Sequence, residues 1–146
     1  MLTVDIDMSA INAQIDGIKA KAEAAIRPAA QAGAQVYYEA VLAATPVSKA
    51  GHWFHGTSFK KTGRKYWFES GSLKKAVYQV YSKDSSSQTH AEYQVAWNHR
   101  KVPYGFMVAL GTSHSAANNF IAGPRQSVEQ TAKAAMAAEF QRRLAQ

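Results

Sequence analysis

The side chains of this protein that could do chemistry are concentrated between positions 48 and 69. Basic and aromatic residues are interleaved there, and no acidic residue lies between Glu39 and Glu69. Such a mixture can contact nucleic acid, because cations neutralise phosphates and aromatic rings stack on bases. The basic members are Lys49, Lys60, Lys61, Arg64 and Lys65, and the aromatic members are Trp53, Phe54, Phe59, Tyr66, Trp67 and Phe68.

The histidines and serines give little reason to expect catalysis. His52 and His55 have a spacing that metal ligands can use, but no carboxylate follows until Glu69 and no third ligand is indicated. Ser113 and His114 are adjacent, a placement that rarely gives a nucleophile and its base the required geometry. The chain has no Walker-type loop and no dinucleotide-binding fingerprint. We therefore expect no enzymatic activity, no cofactor and no metal site.

The basic and aromatic segment has three interpretations. It can form a two-stranded extension with arms at 52–60 and 65–70 and a tip at 61–64, in which aromatics pair across the strands and lysines face water. It can contact DNA directly, or it can order only against a partner. Six aromatic residues in so short a segment are hard to bury in one small domain. Because exposed apolar patches usually mark interfaces, we expect partial exposure in the monomer and burial in an assembly.

Size, charge and composition set broad limits. A chain of 146 residues is most simply one domain, 1–146, and is long enough to bury a core without crosslinks. The net charge of +7 suits DNA, an acidic protein surface or simple solubility. With no cysteine, disulfides and thiolate sites are excluded, and a reducing cytoplasm is suitable. No apolar run approaches the ~18 residues of a membrane span, and the acidic N-terminus does not resemble a signal peptide.

The N-terminal third predicts a long helix. Ser9 is a candidate N-cap, Pro28 predicts a kink or a restart near Arg27, and Thr45-Pro46 predicts the end. The apolar stripe is expected to pack on the core, with the alternative that part of 11–26 packs on another subunit. Its members are Ile11, Ile15, Ile18, Ala22, Ile26, Ala29, Ala32, Val36, Ala40 and Ala43.

The rest of the chain predicts strands followed by helices. Segments 76–83 and 91–97 are typical of strands joined as a hairpin around a serine-rich loop. Pro103 and Gly111 bracket a short helix, and Gly123-Pro124 begins a last helix. On or near one face of the last helix an apolar stripe is predicted, within which Glu139 marks a solvent-exposed edge; its other members are Val128, Ala132, Ala135, Met136 and Phe140. The short helix is expected to bury Phe106, Met107 and Leu110. We predict an α+β fold, in which an antiparallel sheet of about four strands packs against the N- and C-terminal helices and 48–69 forms a hairpin-like insertion.

Four turn-forming clusters follow one another in a fixed order. They are Ala44-Thr45-Pro46-Val47, Ser70-Gly71-Ser72-Leu73, the stretch from Tyr104 to Gly111-Thr112, and Asn119-Phe120-Ile121-Ala122-Gly123-Pro124. In this order the clusters resemble the head–tail joining and tail-completion proteins of siphophage-like tailed viruses. Ala109 stands where that family usually has Glu, Asn119 replaces a proline, and 48–69 is inserted.

The resemblance implies a tail-terminator-like structural protein of the virion neck or upper tail, made in the host cytoplasm. It implies a ring, expected to be a hexamer, which completes the tail or joins it to the head and contacts other neck or tail proteins. DNA could pass the insertion, and no membrane is involved. A basic nucleic-acid-binding module is the alternative. The expected interface residues are Trp53, Phe54, Phe59, Lys60, Lys61, Arg64, Tyr66, Trp67, Gly111, Thr112 and His114.

Overall fold

The fold consists of two long helices and two small antiparallel sheets. A computed structural model describes residues 3–5 and 7–146. The elements in chain order are α1 (Ser9–Ala44), β1 (His52–Phe54), α2 (Phe59–Thr62), β2 (Tyr66–Phe68), α3 (Ser72–Ala76), β3 (Val77–Tyr81), β4 (Tyr93–Trp97), α4 (Gly105–Leu110) and α5 (Pro124–Leu144). Within the described residues, no helix combines the length and apolarity that crossing a membrane requires.

Helix α1 differs from its prediction at its start and at Pro28. Ser9 is its first residue rather than its cap, and the Ser9 N–H donates to Asp7 Oδ1 at 2.9 Å. The helix does not restart near Arg27, because Ala25 and Ala29 on either side of Pro28 are buried where α1 packs on α5. This packing offsets the backbone hydrogen bond that a proline cannot make.

Helix α5 lies antiparallel along the C-terminal two thirds of α1. Tyr37 Oη donates to the Arg125 carbonyl at 3.4 Å, Gly33 faces Met136, and Ile26 and Phe140 line one cavity. Ala132, in the predicted apolar stripe of the last helix, is buried. The order of these contacts places the end of α5 about one turn beyond the position of Ile26.

The mixed α+β class is confirmed, but the single four-stranded sheet is wrong. β3 and β4 form one antiparallel pair, as the alternating pattern predicts, and β1 and β2 form another. β1 and β2 span three residues each and do not pair with the other sheet; His52, Phe54 and Phe68 pack on Tyr104. The insertion is therefore a separate layer beside the main sheet.

The core is built where the four turn clusters meet. Thr45, at the end of α1, is buried, and its Oγ1 donates to the Val41 carbonyl at 2.6 Å. Gly71 is the N-cap of α3 and has φ +80°. Leu73, in the first turn of this helix, is buried. The principal core cluster consists of Val41, Leu73, Ala76, Val77, Val102 and Phe120. The four turn clusters are distant in sequence, but all of them pack around this one core.

Two apolar faces predicted to be buried are exposed. Phe106, Met107 and Leu110 of α4 are 60%, 46% and 65% exposed, because the helix meets the core through Gly105 and Val108 on its other side. Ile11, Ile15 and Ile18 of α1 are exposed as well. Helix α5 ends before it reaches them, so the core-packing prediction is wrong for this part of the stripe.

Candidate functional site: an aromatic and basic surface

The insertion contains the predicted two-stranded element in a shorter form. His52 pairs with Phe68, Trp53 with Trp67, and Phe54 with Tyr66. The predicted arms 52–60 and 65–70 are too long, because Phe59–Thr62 forms a helical turn instead of strand. Gly63 ends this turn in a left-handed conformation with φ +66°, which glycine adopts without steric cost.

One face of the β1–β2 pair is fixed to the body of the protein by Tyr104. The centroid of the Tyr104 ring lies 4.7 Å from that of His52, 4.8 Å from Phe68 and 6.0 Å from Phe54. The edge-on arrangement to His52 and Phe68 is favourable for aromatic rings. Burial raises the pKa of the Tyr104 hydroxyl above its usual value. Tyr104 thus orients the insertion, a role that the sequence did not reveal.

The opposite face of the pair presents two indoles to solvent. Trp53 and Trp67 lie edge to face with ring centroids 5.2 Å apart, and they are 53% and 51% exposed. Lys65 Nζ lies 4.5 Å from the centroid of the Trp53 ring, a cation–π distance. Gly51 lies beneath Trp67, where a Cβ atom would come within 2.4 Å of the indole. Tyr66 pairs with Phe54 and therefore lies on the other face of the pair, where it is also exposed.

Further exposed basic residues lie in the connection between the two strands. Lys60, Lys61 and Arg64 are all exposed in the connection between β1 and β2. In the same connection the Phe59 ring stacks on His55 with centroids 4.2 Å apart and planes at 7°. His52 and His55 therefore pack against different aromatic groups. Among residues 3–5 and 7–146, no three His, Asp or Glu side chains are grouped as a metal site.

The other predicted interface residues lie in one loop near the base of the insertion. They are Gly111, Thr112 and His114. Gly111 ends α4 with φ +79°, and its N–H donates to the Met107 carbonyl. Thr112 Oγ1 accepts the His114 N–H at 3.2 Å, so the exposed loop has internal support. A cavity of about 370 Å³ is lined by both Ser115 of this loop and His52 of the insertion. The loop and the insertion therefore lie next to each other in the monomer.

A second uncovered surface lies on the main sheet. The face of β3–β4 that points away from α1 carries Tyr78 and Val80, which are 42% and 45% exposed. Phe106 borders this face, and it lines a cavity of about 530 Å³ together with Tyr78 and Ala96. Sequence reasoning missed this surface. The alternation of polar and apolar residues in β4 suggested one exposed polar face, but β3 places Tyr78 and Val80 on that face.

No protein-family model, curated protein or solved structure matches this chain.

Proposed function

We propose that this protein is an assembly subunit, a structural protein of the phage neck or upper tail that forms a ring to complete the tail or join it to the head. The observation that carries the proposal is the solvent-exposed indole pair of Trp53 and Trp67 on a strand pair anchored by Tyr104, with Tyr66 exposed on the other face of the same pair. A rigidly held aromatic face of this kind suits a protein interface, because aromatic side chains dominate interface energetics.

Two further features support the proposal. The uncovered apolar surfaces lie on different elements, namely the insertion, α4 with the outer sheet face, and the start of α1. A ring needs two different surfaces on each subunit, because its contacts are head-to-tail. The four turn clusters on which the phage resemblance rests also converge on one core, so they describe one fold.

The proposal is tested with two matched triple variants in sedimentation velocity. The first removes the three exposed aromatic side chains of the insertion by Trp53→Ser, Tyr66→Ser and Trp67→Ser. The second removes exposed charge by Lys60→Ser, Lys61→Ser and Arg64→Ser. We expect the wild type to assemble and the first variant to remain monomeric. The second variant should lose much less assembly than the first, because exposed charges at an interface contribute less than aromatic anchors. Circular dichroism establishes that both variants fold. Equal assembly by the aromatic variant and the wild type would refute the proposed role of this face.

A basic nucleic-acid-binding module is the second candidate function. It is favoured by the contact of Lys65 with Trp53 and by the exposed cations of the connection. This function predicts binding to duplex DNA that weakens steeply as salt concentration rises, because released counterions drive such binding. Here the charge-removing variant should lose affinity and reduce the salt slope. If wild-type protein shows no salt-dependent DNA binding in fluorescence anisotropy, this candidate is excluded.

A further inference from the structure

The first turns of α1 extend beyond the rest of the molecule. Every residue from 9 to 21 is exposed, and we call this segment the N-terminal arm. Ile11, Ile15 and Ile18 form one stripe on it, in line with Ala25 and Ala29, which are buried against α5. The arm therefore continues a packing stripe into solvent, and it is about 20 Å long at ~1.5 Å per residue.

The outer sheet face, formed by Tyr78, Val80, Gln94 and Ala96, lacks a covering layer within the described chain. Its opposite face is covered by α1, since Arg27 lies over Tyr81 and Val95 shares a cavity with Val41. The same helix cannot also reach the outer face of its own sheet. A sheet with one covered apolar face and one uncovered apolar face has room for a helix on the uncovered side.

The arm and the outer sheet face match in length and spacing. A five-residue strand such as Val77–Tyr81 is about 17 Å long at ~3.4 Å per residue, close to the length of the arm. Ile11 and Ile15 are separated by ~6 Å along the helix, and Tyr78 and Val80 by ~7 Å along the strand. Ile11 can therefore lie against Tyr78 while Ile15 lies against Val80.

The charges at the ends of the two surfaces favour one orientation. The chain leading into the arm carries Asp5 and Asp7, and its other end carries Lys19 and Lys21. The exposed cations Arg100 and Lys101 follow β4 at one end of the sheet, whereas the other end has Asp84 and Glu92, with Lys83 beside them. An arm that runs in the direction of β3 places its acidic end beside the two cations and its lysines toward the two carboxylates.

We propose that the N-terminal arm of one copy docks on the outer sheet face of the next copy, with Ile11 and Ile15 against Tyr78 and Val80. Each copy gives an arm and receives one, so the contact is heterologous and can close a ring. This inference rests on the proposed function and names one of its interfaces. It adds a ring contact that is separate from the contact made by the aromatic face of the insertion, and a stable ring requires both contacts.

Cysteine crosslinking tests this docking directly, because the natural chain has no cysteine. The double variant Ile15→Cys/Val80→Cys should give a ladder of covalent oligomers under mild oxidation, with its largest band at the ring size. The matched control Ala13→Cys/Val80→Cys carries its cysteine on the other side of the arm and should give no ladder. Each single variant should give no ladder either, since a head-to-tail contact never brings two copies of one position together.

The results separate the docking from the ring itself. If the double variant assembles with the native mass but gives no ladder, the docking is wrong and the ring remains. If wild-type and variant proteins are both monomeric and no ladder forms, the docking and the ring are both wrong. A ladder from either single variant would contradict the heterologous arrangement.

A charge exchange tests the orientation of the arm. Lys101→Glu should weaken assembly at low salt, and Asp5→Lys added to the same chain should restore most of the lost assembly. If Asp5→Lys makes the Lys101→Glu variant worse or leaves it unchanged, the arm does not run in the direction of β3. High salt should reduce both effects, because exposed charges are screened.

Discussion

Gly105 determines how closely α4 approaches the core. A Cβ atom at this position would lie 2.5 Å from Trp97 Nε1 and 2.8 Å from Leu73 Cδ1. Gly105→Ala should therefore destabilise the protein by about 1–3 kcal/mol, the usual cost of an overpacked core. Gly17 is the matched control, since a Cβ atom at this position on the exposed arm would meet no other atom within 4 Å.

Urea unfolding measures both glycine variants. Gly17→Ala should leave the free energy of unfolding unchanged or raise it by up to about 1 kcal/mol, because alanine favours a helix over glycine. Equal stabilities for the two alanine variants would show that the Gly105 contact does not restrict packing.

Glu139 links stability to pH at the end of α5. Arg142 and Arg143 donate hydrogen bonds to its carboxylate and lower its pKa from 4.5 to about 2. Because the folded-state pKa is depressed, this stabilisation is present above pH 4.5 and is lost as the pH falls toward 2. Glu139→Gln should therefore lose less thermal stability than the wild type across this window. Parallel curves of Tm against pH for the two proteins would contradict the linkage.

At the residue scale, the sequence predicted that aromatic side chains of the insertion are exposed, but it did not predict what anchors the insertion. The exposed Trp53, Tyr66 and Trp67 follow from an aromatic content too large for a small core. The role of Tyr104 could not be predicted, because its contacts with His52 and Phe68 join segments far apart in the chain. Such contacts depend on tertiary packing, and the spacing of residues along the chain does not predict them.

The insertion is attached to the body of the protein through the ring of Tyr104. Tyr104→Ala should remove three ring contacts and loosen 51–70, while the α1–α5 pair remains protected. Hydrogen exchange followed by mass spectrometry should show faster exchange in the insertion only. Tyr104→Phe keeps the ring and is the control, so it should exchange like the wild type. Uniform loss of protection in Tyr104→Ala would mean that the insertion and body unfold together.

At the element scale, periodicity predicted which residues share a face but not whether that face is covered. The β3–β4 hairpin and the stripe of α5 were predicted because alternation and helical spacing are local properties. Ile15 and Phe106 satisfy the same patterns and are nevertheless exposed. Coverage depends on where α5 ends and on which side of α4 meets the core, and both are set by the tertiary structure. The single sheet was wrong for the same reason, because strand signals do not specify partners.

At the scale of the whole molecule, a well-packed centre carries several uncovered apolar surfaces. Phe120 and Val41 are fully buried, whereas the arm, α4 and the insertion leave large side chains in water. A net charge of +7 favours solubility and predicts that association of this chain depends on salt concentration. This division between a packed centre and exposed apolar surfaces is expected of a subunit that is completed by its neighbours.

The mass of the wild-type protein in solution tests the central claim most directly. Native mass spectrometry over a range of protein and salt concentrations should show one closed oligomer at a fixed multiple of the 15.9 kDa chain. A hexamer would agree with the proposed neck ring. A monomer at every concentration, with its apolar surfaces still open to a hydrophobic dye, would contradict the claim that these surfaces exist to join copies of this chain.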